Sequence, residues 1–315
     1  MAEHDKWDDI FTRIAVPEQF DETKSRINSF IDSHKALGKD VVLVTSGGTT
    51  VPLESRTVRF IDNFSVGTRG SSSAEYFLQH GYAVLFLHRS RSLKPFSRHF
   101  SRLSVLDLIE ISCTHADLET LTVKDCYRAK IKKQLSLYES VRQSGSLLCV
   151  EFTSLADYLY LLRASCQALH SIGPKAVLYL AAAVSDFYIP KNEMPEHKIQ
   201  SSDGALQLSL QLVPKMLKPL VKDWVPSAFV VSFKLETDEQ ILVKKSKDSL
   251  TKYQHQLVIA NVLDTRKQKV LFVSRLSEEF VSISSEEMAA GIEIESKIIP
   301  AVKQRHHEFL NQRQS

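Results

Sequence analysis

The stretch Val41-Val42-Leu43-Val44-Thr45-Ser46-Gly47-Gly48-Thr49-Thr50 decides the fold class of this chain. Its first four residues are apolar and mostly β-branched, which is typical of a strand buried on both faces of a parallel sheet. The two glycines predict a tight turn in which the backbone can come close to a ligand. Because ligands of open α/β sheets bind beyond the carboxyl ends of such strands, this stretch also predicts where a site should lie.

Five further apolar runs repeat the strand pattern, and helical patterns separate several of them. The predicted strands are 83–87, 147–152, 176–180, 228–233 and 257–260, and the predicted helices are 21–37, 71–80, 130–142, 154–170 and 239–253. This alternation predicts an α/β fold: a doubly wound, mostly parallel sheet with helices on both faces. Near the end, 270–274 and 280–283 are expected to pair as a hairpin, followed by a charged helix from about Ser285.

Two regions interrupt the alternation and define the predicted domain organisation. Residues 90–127 show weak periodicity and are interpreted as a variable insertion. Residues 187–213 are polar, contain Pro190 and Pro195, and are interpreted as an active-site flap that ends in an alternating strand over 206–210. We expect a polar, helical N-terminal extension over 1–35 and a single α/β domain over 36–315, with a small β flap and hairpin lobe.

The composition argues against several classes of protein. The chain is 43% apolar and 24% charged, and its 40 basic and 37 acidic residues leave a formal net charge of +3. That balance is too even for a nucleic-acid surface or a membrane-binding face. The acidic start does not resemble a signal peptide, and no apolar stretch approaches the roughly 20 residues needed to cross a bilayer. We expect a cytoplasmic protein with no nucleic-acid or membrane partner.

Neither the cysteines nor the histidines have the spacing of metal ligands. The four cysteines form no CxxC or CxxH pair, and the eleven histidines are scattered with no HExxH pair. We therefore expect reduced thiols and no protein-held metal ion.

A second Gly-rich segment, Ser65-Val66-Gly67-Thr68-Arg69-Gly70, leads directly into the helix predicted from Ser71. Such a turn presents free backbone N–H groups and a positive helix end to an anion, and the Arg69 side chain could add charge. The segment is not a P-loop, because the terminal Gly-Lys-Ser/Thr is missing, nor is it a clean dinucleotide fingerprint. The alternative is a helix N-cap whose small residues serve packing.

Small and polar residues follow the later predicted strands. The small residues of 181–183 leave room for a ligand beside Asp186; the alternative is that Asp186 caps a turn. Lys198 lies on the predicted flap, where a lysine can neutralise charge on a bound anion, or simply face solvent. Phe233 and Asn261 end neighbouring strands and could hold a nucleobase; the alternatives are a core aromatic and a turn former.

Taken together and in order, these motifs resemble the phosphopantothenate–cysteine ligase family. The resemblance covers the chain from about residue 36 and is weakest over 90–145. The motifs resemble those of the eukaryotic, monofunctional type. The bacterial form is commonly fused to a flavin-dependent decarboxylase, and this sequence leaves no room for that domain. The segments that carry it are Thr45-Ser46-Gly47-Gly48-Thr49, Asp62-Asn63-Phe64-Ser65-Val66-Gly67, Ala181-Ala182-Ala183-Val184-Ser185-Asp186-Phe187, Met194-Pro195-Glu196-His197-Lys198-Ile199, Ser232-Phe233-Lys234-Leu235-Glu236-Thr237 and Ala260-Asn261.

The resemblance implies a homodimeric ligase of coenzyme A biosynthesis that joins 4′-phosphopantothenate to L-cysteine. The implied co-substrate is ATP in the eukaryotic branch and CTP in the bacterial one, with Mg²⁺ held largely by phosphate oxygens and water. The substrate carboxylate would attack the α-phosphate and release pyrophosphate. The cysteine amine would then displace AMP from the acyl-nucleotide to give 4′-phospho-N-pantothenoylcysteine.

The resemblance also implies roles for individual residues. The nucleotide-binding residues would be Gly47, Ser65, Gly67, Gly70, Phe233 and Asn261. The phosphopantothenate-binding residues would be Asn63, Ala182, Ala183 and Asp186, with Arg59 from the other subunit. Asn63 and Lys198 would be catalytic: Asn63 bonds the carboxylate and the intermediate, and Lys198 offsets charge on the reacting phosphate. Val66 and Thr68 stand where a serine and a basic residue are expected, which leaves an effect on nucleotide affinity open.

Two other functions remain to be weighed. A nucleotide-dependent reductase suits the sheet and the Gly-rich turns, but the Tyr-x-x-x-Lys pair of short-chain reductases is missing, because Lys130 and Lys191 follow Tyr127 and Tyr188 at the wrong spacing. A non-catalytic protein with the same fold is the second. The presence of Asn63, Asp186 and Lys198 argues against it.

Overall fold

A computed structural model describes residues 5–113, 119–200 and 204–313. The helices are α1 (Asp5–Arg13), α2 (Phe20–Ala36), α3 (Thr68–Gln79), α4 (Val105–Leu108), α5 (Asp125–Ser144), α6 (Leu155–Leu169), α7 (Leu217–Pro219), α8 (Glu239–Tyr253), α9 (Ser285–Ala289) and α10 (Glu295–Gln312). The strands are β1 (Val41–Ser46), β2 (Thr50–Pro52), β3 (Phe60–Asp62), β4 (Ala83–Arg89), β5 (Ile109–Cys113), β6 (Glu119–Val123), β7 (Leu147–Phe152), β8 (Ala176–Leu180), β9 (Phe187–Tyr188), β10 (Gln211–Leu212), β11 (Phe229–Glu236), β12 (Leu257–Val262), β13 (Lys269–Val273) and β14 (Glu278–Ser282).

Eight strands form the central sheet, in the order β14-β13-β12-β11-β8-β1-β4-β7. The strands from β12 to β7 are parallel, whereas β13 and β14 extend one edge through antiparallel pairs. The chain moves outward from β1 through β4 to β7 and then returns to β8 on the other side of β1. This reversal opens a crevice at the carboxyl ends of β1 and β8. The predicted fold class is confirmed.

Strand β1 is buried at every position, and its residues 41–44 are all apolar, because both of its faces are covered by helices. Val41 and Leu43 belong to the apolar cluster that includes Ile27 and Ile31 of α2. Val42 and Val44 point the other way, into a cluster with residues of α3 and α10. Successive side chains of a strand alternate between its two faces, so a strand between two helical layers needs apolar residues at every position.

Three short antiparallel pairs stand outside the main sheet: β2 with β3, β5 with β6, and β9 with β10. The strand predicted over 206–210 is wrong, because these residues form no regular element and only β10, just beyond them, is paired. Leu206 and Leu208 are exposed. Alternation of apolar residues is a local property, but a strand also needs a partner to bond.

The charged helix predicted from about Ser285 is in fact two helices, α9 and α10. Gly291 lies between them with φ of +79°, a left-handed conformation that ends α9 and that other residues rarely adopt. The predicted insertion over 90–127 contains α4, β5 and β6, and its residues 114–118 lie outside the described part of the chain. The flap residues 201–203 lie outside it as well.

The predicted N-terminal extension packs onto α6. The ring of Phe11 meets the ring of Tyr160 edge-to-face at 5.1 Å, and the Tyr160 hydroxyl donates to the carbonyl of Phe11. Ile10 is fully buried in the same cluster as β1. Across the described ranges, no helix is long and apolar enough to span a membrane.

Candidate active site

Hydrogen bonds join the loop after β1 to the loop after β8. The amide of Ala183 donates to the carbonyl of Gly47 at 2.8 Å, and the amide of Thr49 donates to the carbonyl of Ala183 at 3.2 Å. The Thr49 hydroxyl accepts from the amide of Ser185 at 2.9 Å. Two of the family-implied motifs, more than 130 residues apart in sequence, therefore lie side by side at the sheet edge predicted for the site.

The two glycines after β1 are required by close contacts within the chain itself. Gly47 has φ of +87°, and a Cβ on it would lie 2.6 Å from the Cβ of Arg89. A Cβ on Gly48 would lie 1.6 Å from the carbonyl oxygen of Asn63. The sequence predicted that the backbone here could come close to a ligand; the close neighbours that the structure shows are Arg89 and the segment carrying Asn63. The absence of a side chain at Gly48 thus lets the backbone of Asn63 lie against the end of β1.

The turn before α3 rests on Ser46, the last residue of β1. Gly67 caps α3 with φ of +82°, and a Cβ on Gly67 or Gly70 would come within 2.8 or 2.4 Å of the Ser46 hydroxyl oxygen. That hydroxyl donates to the Gly67 carbonyl at 3.2 Å, and the Gly67 amide donates to the Ser65 hydroxyl at 3.4 Å. The N-terminus of α3, where backbone N–H groups are free to bind an anion, is thereby held at the same sheet edge.

Arg69 serves a structural purpose rather than adding charge to the anion site. Its guanidinium donates to the carboxylate of Glu295 in α10 at 2.7 Å and also to the carbonyl of Arg266. Burial raises the pKa of Glu295, while the charge of Arg69 opposes that rise. The pair is nearly enclosed, so it ties α3 to α10.

A cavity of about 180 Å³ brings Asn63 and Asp186 together. Asn63 is held in place by its backbone amide, which donates to the Thr49 carbonyl at 3.1 Å. The Asp186 carboxylate accepts a hydrogen bond from Lys215, and the Asp186 carbonyl accepts from the amide of Val213 at 2.9 Å. The other lining residues are Val51, Ile61, Ser185, Phe187 and Leu210.

Lys215 is a residue of the candidate site that sequence reasoning missed. It follows the flap, and the pairing of β9 with β10 brings it back to Asp186, where the flap begins. The signal available in the sequence was its position, because the two ends of a flap must meet at its base. Lys215 thus sets the charge beside Asp186.

The segment around Glu54 holds the part of the flap that carries Lys198. Arg59 donates to the Glu54 carboxylate at 3.1 Å and to the Ile199 carbonyl at 3.0 Å. Burial alone would raise the pKa of Glu54, but hydrogen bonds from the amides of Arg59 and Val58 hold the pKa below its ordinary value. Lys198 itself is exposed. Arg59 therefore holds the flap residue next to Lys198.

Phe233 and Asn261 lie on one face of the sheet. The register pairs Phe233 of β11 with Ile259 of β12, two residues before Asn261, so their side chains share a face. Phe233 meets Tyr179 edge-to-face at 4.9 Å and packs with residues of α3, whereas Asn261 is buried. The predicted nucleotide residues of β11, β12 and the α3 turn are thus on the same side of the sheet.

Known proteins resemble this chain closely. The human protein named phosphopantothenate--cysteine ligase is 50% identical over 279 residues, which are 88% of this chain and 90% of that protein. The chain belongs to the phosphopantothenate–cysteine ligase family. A rice member, phosphopantothenate--cysteine ligase 1, is 43% identical over 85% of this chain and 81% of its own length.

A solved structure in the phosphopantothenate–cysteine ligase family confirms the fold. It is a Cab2 point mutant described as a complex with phosphopantothenate-cysteine, 41% identical, with a TM-score of 0.88 over 97% of this chain and 99% of its own. The model of the DNA/pantothenate metabolism flavoprotein C-terminal domain matches residues 163–298, which include β8, β11 and β12.

Proposed function

We propose that this chain is a cytoplasmic phosphopantothenate–cysteine ligase of coenzyme A biosynthesis. The observation that carries the proposal is the similarity over almost the whole length to a structure described as a complex with phosphopantothenate-cysteine. The bond between an acid and an amine forms slowly because a carboxylate is a poor electrophile. Attack of the carboxylate on the α-phosphate of ATP would release pyrophosphate and convert the carboxylate into a reactive mixed anhydride with AMP. The cysteine amine would then displace AMP from this anhydride.

The nucleotide is proposed to lie on the face of the sheet that carries α3. Gly67, Gly70 and Ser65 form the turn that presents the free N–H groups of this helix, and these groups bind phosphate oxygens. Phe233 offers an aromatic surface and Asn261 an amide on the same face, suited to a nucleobase. Gly47, at the end of β1, is the remaining residue proposed to bind the nucleotide. Val66 and Thr68 lie at exposed positions of the turn, so they bear on nucleotide affinity rather than on folding.

Mg²⁺ is proposed to arrive with the triphosphate. Within the described ranges, no three His, Cys, Asp or Glu side chains are grouped so as to hold a metal ion. Phosphate oxygens and water are the usual partners of Mg²⁺ in nucleotide sites, where the ion neutralises charge on the phosphates.

Phosphopantothenate is proposed to occupy the cavity beside Asn63 and Asp186. Ala182 and Ala183 lie between this cavity and β8, where Ala183 is bonded to the Gly47 loop, and their small side chains would leave room for the substrate. Asp186, which lines the cavity, can accept from a hydroxyl of the substrate. The side-chain amide of Asn63 would hydrogen-bond the substrate carboxylate and then the acyl-nucleotide. Lys198, on the flap, would offset the charge on the reacting phosphate as the flap closes.

A homodimer with shared sites is part of the proposal. Large apolar side chains are exposed on and just after the β2–β3 hairpin and on the β9–β10 pair, among them Phe60 (53%), Phe64 (84%) and Leu212 (72%). Exposed apolar patches of this kind mark interaction surfaces. Arg59 lies on the same hairpin as Phe60, so a second copy seated on this surface would bring its Arg59 to the first copy's site.

The decisive experiment incubates the protein with ATP, Mg²⁺, phosphopantothenate and cysteine and identifies the nucleotide product. We expect AMP and pyrophosphate in equal amounts with the amide. ADP and phosphate would overturn the acyl-nucleotide mechanism, and no turnover with ATP or CTP would favour a non-catalytic role. Competition between ATP and CTP in the same assay tests the expected preference for ATP.

The role of Asn63 is tested by Asn63→Ala. We expect amide formation to fall about 100-fold or more, the usual effect of removing a donor that stabilises a reacting oxyanion. The circular dichroism spectrum should not change, because the bond that holds this segment comes from the Asn63 backbone and persists in alanine. A variant with wild-type turnover would show that Asn63 is not catalytic.

A further inference from the structure

A second cavity, of about 280 Å³, lies between the flap and the N-terminal segment. Four segments enclose it: residues 13–15 after α1, residues 51–55 around β2, residues 154–156 at the start of α6, and flap residues 188–194. It shares only Val51 with the cavity beside Asn63. None of its described lining residues is among those proposed to bind the nucleotide or phosphopantothenate.

The walls of this cavity are largely apolar. Their apolar side chains are Ile14, Ala15, Val51, Pro52, Leu155, Ala156, Ile189 and Met194. The volume lies just below the range of about 300–1,000 Å³ that is common for small-molecule sites. It therefore suits a small ligand with an apolar body.

Two cations stand where the cavity meets a neighbouring polar cleft. Arg13 and Lys191 line both the cavity and the cleft, which has a volume of about 630 Å³ and also includes Asn192 and Glu193. Arg13 is already paired with Asp9 at 2.6 Å. In the described ranges, Lys191 has no carboxylate within ion-pair distance, so its ammonium group offers charge to an incoming anion.

The cavity also lies where the flap joins the rest of the chain. The amide of Lys191 donates to the carbonyl of Arg13 at 2.9 Å, and Tyr188, buried at the base of the flap, packs beside Arg13. A ligand in the cavity would contact both the flap and the N-terminal segment. Binding of such a ligand would consequently restrict the motion of residues 13–15 and 188–194 together.

We propose that this cavity is a second ligand site, separate from the candidate active site, that takes a small amphiphilic carboxylate. The apolar chain would fill the space between Ile14 and Ala156, and the carboxylate would face Lys191 at the boundary with the polar cleft. The assignment rests on the shape and chemistry of the cavity and does not depend on the proposed ligase activity.

The test uses octanoate as the probe and isothermal titration calorimetry on the full chain. Octylammonium, with the same chain and the opposite charge, is the ligand control. Ala156→Phe fills the cavity from the first turn of α6, and Lys191→Gln removes the charge at its mouth. Lys24→Gln, an exposed lysine on α2, is the matched control variant.

We expect octanoate to bind the wild-type chain, the Lys24→Gln variant and the Asn63→Ala variant equally well. Ala156→Phe and Lys191→Gln should each weaken binding at least about tenfold, the effect of a blocked cavity and of a lost charge-assisted hydrogen bond respectively. Hydrogen exchange should slow at residues 13–15 and 188–194 when octanoate is bound.

Several outcomes would overturn the proposal. Octylammonium binding as tightly as octanoate would remove the role of Lys191, and absence of binding to the wild-type chain would remove the site. Loss of binding in Asn63→Ala would place octanoate in the candidate active site instead. If Ala156→Phe does not fold, the Lys191→Gln titration and the hydrogen-exchange pattern decide between these results.

Discussion

At the scale of single residues, the carboxylate of Asp186 poses an electrostatic problem. It lines the cavity proposed for phosphopantothenate, which is itself an anion, and like charges repel. Lys215 lies against this carboxylate and cancels its charge. The ion pair is exposed, so its worth to stability is small, and its importance should appear in substrate binding instead.

Lys215→Gln is therefore expected to raise KM for phosphopantothenate about three- to fivefold and to change kcat much less, because the lost charge acts on binding. Steady-state kinetics with phosphopantothenate as the varied substrate measures this. The double variant Asp186→Asn/Lys215→Gln is the control and should show less than the sum of the two single effects. An unchanged KM in Lys215→Gln would show that the pair is incidental.

At the scale of elements, a buried ion network holds the insertion against α3. Glu75 of α3 accepts hydrogen bonds from Arg98 at 2.8 Å and from the amide of Phe96 at 2.6 Å, and Arg98 also binds Glu293, just before α10. Burial alone would raise the pKa of Glu75, but hydrogen bonds from His99 and Arg98 outweigh it and leave the pKa lowered. The network fixes the helix whose N-terminus is proposed to bind phosphate.

Glu75→Gln is expected to lower the free energy of unfolding by about 3 kcal/mol at neutral pH, because it removes one partner of a buried ion pair. The pKa of Glu75 is lower in the folded state. Its stabilising charge is therefore fully present above the unfolded pKa of about 4.3 and is lost as the pH falls through the folded value.

Urea denaturation between neutral and acidic pH tests this. The gap between wild type and Glu75→Gln should narrow below a pH of about 4. Glu151→Gln is the control, because its partner Lys94 is exposed and the loss should stay within about 1 kcal/mol. An equal loss of unfolding free energy in the two variants would mean that burial of the network does not increase its contribution to stability.

At the scale of the whole molecule, the proposed shared site makes a prediction about mixed dimers. If Arg59 serves the partner's site, a dimer of one Arg59→Ala subunit and one Asn63→Ala subunit has one intact site and one doubly defective site. Subunits exchanged at random should then recover about a quarter of wild-type activity, because half of the dimers are mixed and each has one working site.

The experiment mixes the two variants under conditions that exchange subunits and measures AMP release. Sedimentation first establishes that both variants are dimers. No recovery would contradict a shared site and would leave Arg59 to its contacts with Glu54 and Ile199 in its own chain.

Much of the architecture could be predicted because it depends on residue type alone. Residues 41–44 of β1 are all apolar, and an apolar run of this kind is typical of a strand covered on both faces. The turn from Ser65 to Gly70 was predicted to enter a helix, and α3 begins at Thr68. The strand expected over 206–210 was wrong, because alternation of side chains cannot report whether a neighbouring strand is available.

The sequence by itself determined the parallel sheet, the sheet edge at which its glycine turns lie, and the family to which its motifs belong. Only the tertiary structure decided what the charged side chains do. Arg69 pairs with Glu295, and Lys215 with Asp186, across sequence separations that carry no local pattern. The burial of a strand or helix can be predicted from the pattern of neighbouring residues in the sequence. An ion pair between distant segments depends on which of them the fold brings together.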